Sequence, residues 1–289
     1  MSPRLQSAVG AIALVTLAGT SFAARPKLAP QAAWPPAVRA AYSAVLAAPA
    51  GTPGKSADVA KKMLALVMTG EAHDALGTLA FNDQLPESHR AISGIWLVKF
   101  YSFDPAALLA FTEDANPFVQ REAISQLAEL GGKEISAKLA ALPAKIPRLA
   151  AAVRAFTPRV SPTGKPPFVL AQLNTLLRSK VSKQKSMAAA VLSESKEDAA
   201  EWGLTKLLSP QMSTLADKTT QIDGALALSR RHAKDVPGLV KLTARGNNKF
   251  VRYEALKLLA KSPAGKKELR GLTFAPGDPM AKERDTLVR

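Results

Sequence analysis

The sequence predicts an all-α protein, an α-solenoid of stacked antiparallel helical hairpins, and three observations support this prediction. The 289-residue chain is 47% hydrophobic, largely through alanine, but only 6% aromatic, a composition that favours helices over a β-sandwich or barrel. From about residue 37 onward, apolar residues recur at every third or fourth position, and no convincing alternating β pattern appears. Finally, one helical segment that starts at Asn116 recurs at Asn248.

The N-terminal segment has the pattern of a secretory signal peptide over residues 1–23. A basic residue lies near its start, an apolar stretch runs from Ala8 to Ala18, and small residues occupy the positions before a cleavage site. The apolar stretch is shorter than the roughly 20 residues of a membrane-spanning helix, and an uncleaved anchor is the alternative. We therefore expect a periplasmic or secreted protein, a location that argues against nucleotide-dependent chemistry and nucleic-acid binding. Residues 24–36 are predicted to form a Pro/Ala-rich leader whose Trp34 docks on the first helix.

The helical repeat domain is predicted to span residues 37–274 as a row of short helices, each followed by Gly, Pro, Asn or Asp. The Pro-, Thr- and Gly-containing stretch 157–167 is a possible hinge within one array, or a boundary between two subdomains. Residues 275–289 are predicted to form a polar, frayed tail. The predicted helices are 37–48, 56–69, 71–80, 87–101, 104–112, 117–130, 134–141, 146–156, 167–178, 183–194, 197–208, 218–232, 236–244, 249–261 and 265–272.

The duplicated segment reads NPFVQREAISQLA over residues 116–128 and NKFVRYEALKLLA over residues 248–260. Asn is predicted to cap each helix, and Phe118, Ala123 and Leu127 are predicted to share one buried face. Weaker copies align residues 90–93 with 122–125, and 225–226 with 255–256. A single hairpin cannot bury its own apolar face, whereas stacked hairpins can.

The string N-P-F-V-x-x-E-A-I-x-x-L-A-x-L-G at residues 116–131 resembles a HEAT-like repeat of the short type found in phycobilisome lyases. Gln120 occupies a position at which that family favours arginine, and Arg252 restores the arginine in the second copy. The resemblance covers about 86–142 and 235–274 well, and the region between them more weakly. It implies an α-solenoid but no activity; a non-repeating α-bundle is the alternative.

The net charge of +16 is concentrated in the C-terminal half of the chain. Residues 159–289 contain 24 Lys and Arg but 12 Asp and Glu, and neither 135–193 nor 236–253 contains an acidic residue. Equivalent positions of stacked hairpins would line up, so basic residues near helix starts would form a stripe that attracts anions. The predicted partner-binding residues are Lys180, Lys183, Lys185, Arg245, Lys249 and Arg252.

Motifs for catalysis, cofactors and metals are incomplete. The GKS that ends at Ser56 has Pro49 where a phosphate-binding loop needs its first glycine, and a calcium-like stretch from Asp217 has Leu228 instead of glutamate. The absence of cysteine excludes disulfides and thiolate chemistry. The three histidines, His73, His89 and His232, are interpreted as surface or capping residues. Trp96 and Trp202 are interpreted as core residues, and Tyr253 as exposed. We therefore predict no catalytic residue, cofactor or metal.

The predicted function is an exported, non-enzymatic scaffold that binds a protein or an anionic polymer through a basic surface. Candidate partners are an acidic protein, an anionic polysaccharide or lipid head groups. Two alternatives stay open: a structural component of the cell envelope without a discrete ligand, and a lyase-like enzyme on a HEAT-like scaffold.

Overall fold

The computed structural model describes residues 28–51, 56–244 and 246–288, which form an all-helical fold with no strand among them. The predicted signal peptide lies outside the described residues. The α-helices are α1 (Pro36–Leu46), α2 (Ala57–Val67), α3 (His73–Ala80), α4 (Glu87–Phe100), α5 (Pro105–Phe111), α6 (Pro117–Leu130), α7 (Lys133–Lys145), α8 (Ala150–Phe156), α9 (Pro167–Arg178), α10 (Ser182–Glu194), α11 (Asp198–Leu207), α12 (Lys218–Arg231), α13 (Val236–Leu242), α14 (Lys249–Leu259), α15 (Pro263–Gly271) and α16 (Pro279–Val288).

The duplicated segment forms α6 and α14, and both helices begin as the sequence predicts. The Asn116 side chain accepts a hydrogen bond from the Phe118 amide, and the Asn248 side chain accepts one from the Phe250 amide, each at 2.9 Å. These bonds satisfy amides that have no partner within the helix. Both predicted N-caps are therefore confirmed.

The helices pack mainly on their neighbours in the chain. Sequential pairs in contact are α1/α2, α3/α4, α5/α6, α9/α10, α11/α12 and α13/α14. The second helices of these pairs also contact one another, as α2–α4–α6 in the N-terminal half and α10–α12–α14 in the C-terminal half. Each second helix thus buries one side against its own partner and another against the next pair.

Five of these second helices bury the same positions when residues are counted from the N-cap. The seventh, eighth and eleventh residues are buried in each. They are Ser93, Gly94 and Leu97 in α4; Ala123, Ile124 and Leu127 in α6; Ala188, Ala189 and Leu192 in α10; Gly224, Ala225 and Leu228 in α12; and Ala255, Leu256 and Leu259 in α14. The common pattern holds although little sequence identity connects the helices, because small or aliphatic side chains suffice for close helix packing.

The caps also correct details of the repeat. When the helices are aligned from their N-caps, Pro86 of α4 corresponds to Asn116 of α6, which differs by two residues from the alignment predicted from the sequence. Asp217 of α12 corresponds to Asn248 of α14, which differs by one residue from the predicted alignment. Phe118 is 39% exposed, which contradicts its predicted burial. Val119 is buried in its place because it lies four residues before Ala123, on the face that meets the neighbouring helices.

The fourth residue after the cap makes a recurrent contact in three helices. Gln120 Nε2 donates to the Thr112 carbonyl at 3.0 Å, Gln221 Nε2 to the Ser213 carbonyl at 2.9 Å, and Arg252 Nε to the Thr243 carbonyl at 2.9 Å. In each case the acceptor belongs to the segment that precedes the helix. The contact ties each second helix to the chain before it and satisfies a backbone carbonyl that would otherwise lack a partner.

One apolar core connects the two halves of the molecule, from Trp34 to Val251, and a smaller cluster joins α13 to α16. At the junction, the Phe103 ring meets the edge of Trp202 at 6.0 Å, and Asn174 Nδ2 donates to the Phe103 carbonyl at 2.8 Å. Trp34 is buried and its ring lies 5.0 Å from that of Tyr42 in α1, which confirms its predicted docking on the first helix.

The stretch predicted as a break, 157–167, is anchored to the end of α6. The Gly132 amide donates to the Ser161 carbonyl at 2.8 Å, and the Lys165 amide donates to the Leu130 carbonyl at 3.2 Å. Gly131 has a φ of +68°, and a Cβ added there would lie 2.8 Å from the Ser161 carbonyl oxygen. Only glycine accommodates both the left-handed backbone and this close approach.

Several further predictions are wrong in detail. The tail predicted to be frayed contains α16, whose Met280 is buried in the smaller cluster. His89, interpreted as a surface or capping residue, is buried, and its Nε2 lies 3.1 Å from the Val45 carbonyl. Trp96 and Trp202, interpreted as core residues, are partly buried, and both pack against the main core. Within the described residues, no helix is long and apolar enough to cross a membrane.

Candidate functional site

Helices α10, α12 and α14 lie side by side and run in the same direction. Lys185 in the first half of α10 reaches the cap of α12, where its Nζ lies 2.5 Å from Asp217 Oδ2. Asn248, the cap of α14, donates to Gln221 Oε1 near the start of α12 at 3.3 Å. At the opposite end, Arg231 of α12 donates to the Leu192 carbonyl of α10 at 3.0 Å. The N-terminal ends of all three helices therefore meet at one edge of the molecule.

Exposed lysines line this edge. Lys183 is the second residue of α10, Lys218 is the first residue of α12, and Lys249 is the first residue of α14; Lys180 lies just before α10. In the part of the chain that is described, none of the four pairs with an acidic side chain. We call these four residues the lysine edge. The N-terminal ends of the three helices add partial positive charge at the same place, which the Asp217 carboxylate partly offsets at α12.

Two of the predicted partner-binding residues have internal roles instead. Lys185 is buried and donates to Asp217 and, at 2.7 Å, to Thr220 Oγ1. Arg252 is also buried, and its Nη2 lies 2.5 Å from Asp278 Oδ2. Neither cation faces solvent, so neither contributes to an exposed stripe. Both occupy the fourth position after a cap, which points inward in α10 and in α14.

The remaining predicted residues divide as follows. Lys180, Lys183 and Lys249 lie on the lysine edge, and Arg245 lies outside the described residues. Sequence reasoning omitted Lys218, although its position directly after the capping residue Asp217 marks it as the start of a helix.

The acid nearest to the lysine edge is already engaged. Burial opposes ionisation of Asp217, but hydrogen bonds from Lys185 and the Thr220 amide outweigh that effect, and the pKa of Asp217 lies below its ordinary value. The carboxylate thus stays ionised and remains paired with Lys185, with its other oxygen capping α12. The exposed lysines keep their charge available for a partner.

A second feature is an open cleft of about 650 Å³ between α6 and α11. Lys206 reaches from α11 into it and donates to Glu129 and, at 2.7 Å, to Gln126 Oε1. Burial lowers the pKa of Lys206, and the nearby Glu129 only partly offsets this. The Trp202 ring borders the cleft, with the Lys206 ammonium 5.4 Å from its centre. The carboxylates of Glu129 and Glu201 in the lining are about half exposed, so the cleft lacks the buried carboxylate in an apolar pocket that would favour an enzyme.

A third feature is a cluster around His73 at the start of α3. His73 Nδ1 lies 3.1 Å from Asp74 Oδ1, and its Nε2 lies 2.8 Å from the Tyr101 hydroxyl. The Arg178 guanidinium stacks over the Tyr101 ring at 4.2 Å and pairs with Asp104 at 3.1 Å. Tyr101 is buried, so its hydroxyl cannot reach a substrate in solvent. The cluster therefore joins α3 and α5 to α9 in the other half of the molecule.

This cluster predicts a pH dependence of stability. Burial lowers the pKa of His73 below its ordinary value of 6.5, more than Asp74 raises it, and Arg178 and Lys180 lower it further. The unfolded chain therefore binds more protons than the native protein as the pH falls below about 6.5, and stability is lost through that range. His73→Gln is expected to flatten the pH dependence of the unfolding free energy as the pH falls below about 6.5. Urea denaturation at a series of pH values measures this, and an unchanged slope would contradict it.

No group of acidic or histidine side chains that could hold a metal ion occurs within the described ranges. No family model matches this chain, and neither a curated protein nor a solved structure matches it significantly. Its function therefore has to be inferred from its own residues and their contacts.

Proposed function

We propose that this chain is an exported, non-enzymatic scaffold, an α-solenoid of HEAT-like hairpins that binds an anionic partner at the lysine edge. Support for the repeat comes from the common buried positions of α4, α6, α10, α12 and α14. Further support comes from the contact that Gln120 and Arg252 make at the position where the resembled family favours arginine. Repetition of one supersecondary unit explains why both halves use the same packing with different side chains.

The parallel arrangement of α10, α12 and α14 is the observation that carries the binding proposal. It concentrates Lys180, Lys183, Lys218 and Lys249 at one edge, together with three helix N-termini. Like charges placed together without acidic partners oppose stable folding, and an anionic partner relieves this repulsion. Exposed ammonium groups without a preformed pocket suit a partner with distributed charge, such as an acidic protein, an anionic polysaccharide or lipid head groups.

Heparin chromatography tests the proposal on residues 24–289, which retain every described element. The triple substitution Lys183→Gln, Lys218→Gln and Lys249→Gln is expected to lower the salt concentration at which the protein elutes. All three side chains are exposed, so the fold should be unaffected.

The matched control removes three exposed lysines from other helices, through Lys61→Gln, Lys133→Gln and Lys145→Gln. Both variants have the same net charge, so a larger effect at the lysine edge isolates the contribution of position. Equal elution of the two variants would contradict a focused site and would favour the alternative of an envelope component without a discrete ligand.

A further inference from the structure

The lysine edge is accompanied by exposed apolar side chains at a constant spacing. Lys183 is followed four residues later by Met187, Lys218 by Ile222, and Lys249 by Tyr253. In α10 the apolar stripe continues to Val191, one turn further on. Four residues are about one helical turn, or roughly 6 Å, so each pair shares a face of its helix. Each of the three parallel helices thus carries an exposed lysine with an exposed apolar residue one turn further on, and these apolar residues form an apolar row. One carboxylate lies in this row, that of Asp223, which accepts from Ser186 Oγ at 2.8 Å between α10 and α12.

These apolar side chains are unusually exposed. Met187 is 61% exposed, Val191 45% and Val181 51%, while Ile222 and Tyr253 are each exposed by more than a third. Half of the large hydrophobic side chains that are exposed in the described part of the chain lie on this one surface. Scattered apolar residues need no explanation, but a group beside a basic edge indicates an interaction surface.

We propose that this surface binds to an anionic phospholipid bilayer, with the lysine edge on the head-group phosphates and the apolar row inserted below them. The inference rests on the proposed function and specifies its partner. The positive charge of the lysine edge requires a negatively charged partner. The apolar row requires that this partner also have an apolar layer beneath its charged groups. A polysaccharide has the charge but not the apolar layer.

The residue types favour a bilayer over an acidic protein. Protein interfaces are enriched in Arg and aromatic residues and depleted in Lys, because forked guanidinium groups and rigid rings give specific contacts. The four residues of the lysine edge contain no arginine, and the apolar residues beside them are aliphatic except for Tyr253. Lysine beside aliphatic residues is typical of surfaces that lie in the lipid interface, where charge is diffuse and mobile. Tyr253 suits the same interface, since its ring is apolar and its hydroxyl polar.

Vesicle sedimentation tests the proposal with residues 24–289, which omit the apolar segment 8–18 that would itself enter lipid. The probe is a vesicle of phosphatidylglycerol and phosphatidylcholine, compared with a vesicle of phosphatidylcholine alone. Binding is expected only to the anionic vesicle. The Lys183→Gln, Lys218→Gln and Lys249→Gln triple variant is expected to bind at least about tenfold more weakly, and the Lys61, Lys133 and Lys145 control within about twofold of the unmodified protein.

The apolar row has its own matched pair of variants. Met187→Gln with Val191→Gln is expected to weaken vesicle binding about fivefold or more, because it removes the side chains that insert. Leu64→Gln with Met68→Gln replaces two similarly exposed residues, one in α2 and one directly after it, and should leave binding unchanged. Circular dichroism confirms that each variant is folded.

The outcomes separate this inference from the proposed function. Heparin retention that depends on the lysine edge, without vesicle binding, would overturn the bilayer as partner and leave the anionic scaffold intact. Vesicle binding that the Met187 and Val191 substitutions do not weaken more than their α2 control would also overturn it, since the protein would then only adsorb electrostatically. Failure to bind both heparin and vesicles would overturn both proposals.

Discussion

Substituting Asp278 with alanine is expected to destabilise the protein by about 3–5 kcal/mol, because the Arg252 guanidinium would remain buried without its counter-charge. The side chains of Arg252 and Asp278 are 8% and 6% exposed, so solvent screens their interaction only weakly. Arg252 is also tied to the Thr243 carbonyl and cannot turn toward solvent without losing that bond. The loss should therefore exceed the effect of any surface ion pair in this protein.

Chemical denaturation measures this loss, and Asp285→Ala is the control. Asp285 pairs with Arg284 on the same helix, α16, but is 55% exposed, so its loss should cost less than about 1 kcal/mol. The double variant Arg252→Met with Asp278→Leu should regain part of the stability, since it removes both buried charges together but leaves the Thr243 carbonyl and the Met280 amide without these partners. Equal stability of Asp278→Ala and Asp285→Ala would show that the buried pair does not hold α16 in place.

Replacing Phe103 with alanine is expected to cost about 3–5 kcal/mol, because it opens a cavity where the two halves of the protein meet. The Phe103 side chain is fully buried, and its ring meets Trp202 of α11. Its own carbonyl accepts the hydrogen bond from Asn174 of α9. A shift of the backbone to fill the cavity would strain this bond, so the site has little freedom to collapse.

Phe168→Ala is the matched control, since Phe168 lies at the start of α9 and is 47% exposed. Its loss should change the unfolding free energy by less than about 1 kcal/mol. Thermal and urea denaturation compare the two variants, and near-ultraviolet circular dichroism reports whether Trp202 keeps its surroundings. A loss for Phe103→Ala no larger than that for Phe168→Ala would show that the halves do not depend on this contact.

Sequence reasoning recovered the helices because their boundaries depend on local chemistry. Asn116 and Asn248 act on amides two residues away, and Pro117 fits the first turn without losing a bond. The prediction of a frayed tail failed at α16 because that helix depends on Met280 packing against residues far away in the chain. His89 was misjudged for the same reason, since its partner at Val45 lies 44 residues earlier.

The candidate site was only partly predictable, as Lys183 and Lys185 show. The two lysines are separated by two positions on the same helix, so a rotation of about 200° places them on opposite faces. Both lysines lie in the same acid-free stretch, so the sequence criterion does not distinguish them. In the structure, Lys183 is exposed while Lys185 is buried against Asp217 and Thr220. The deciding factor is the neighbouring helix α12, which covers one face of α10 and leaves the other open.

By itself the sequence determined the all-helical class, the starts of the repeated helices and the excess of basic residues in the C-terminal half. These properties depend on composition and on hydrogen bonds within a turn or two of the chain. Only the tertiary structure decided which cations are free, that α10, α12 and α14 present their N-terminal ends together, and that Phe103, Asn174 and Trp202 join the halves. Those outcomes depend on packing between segments distant in sequence, where burial assigns each side chain either to the core or to solvent.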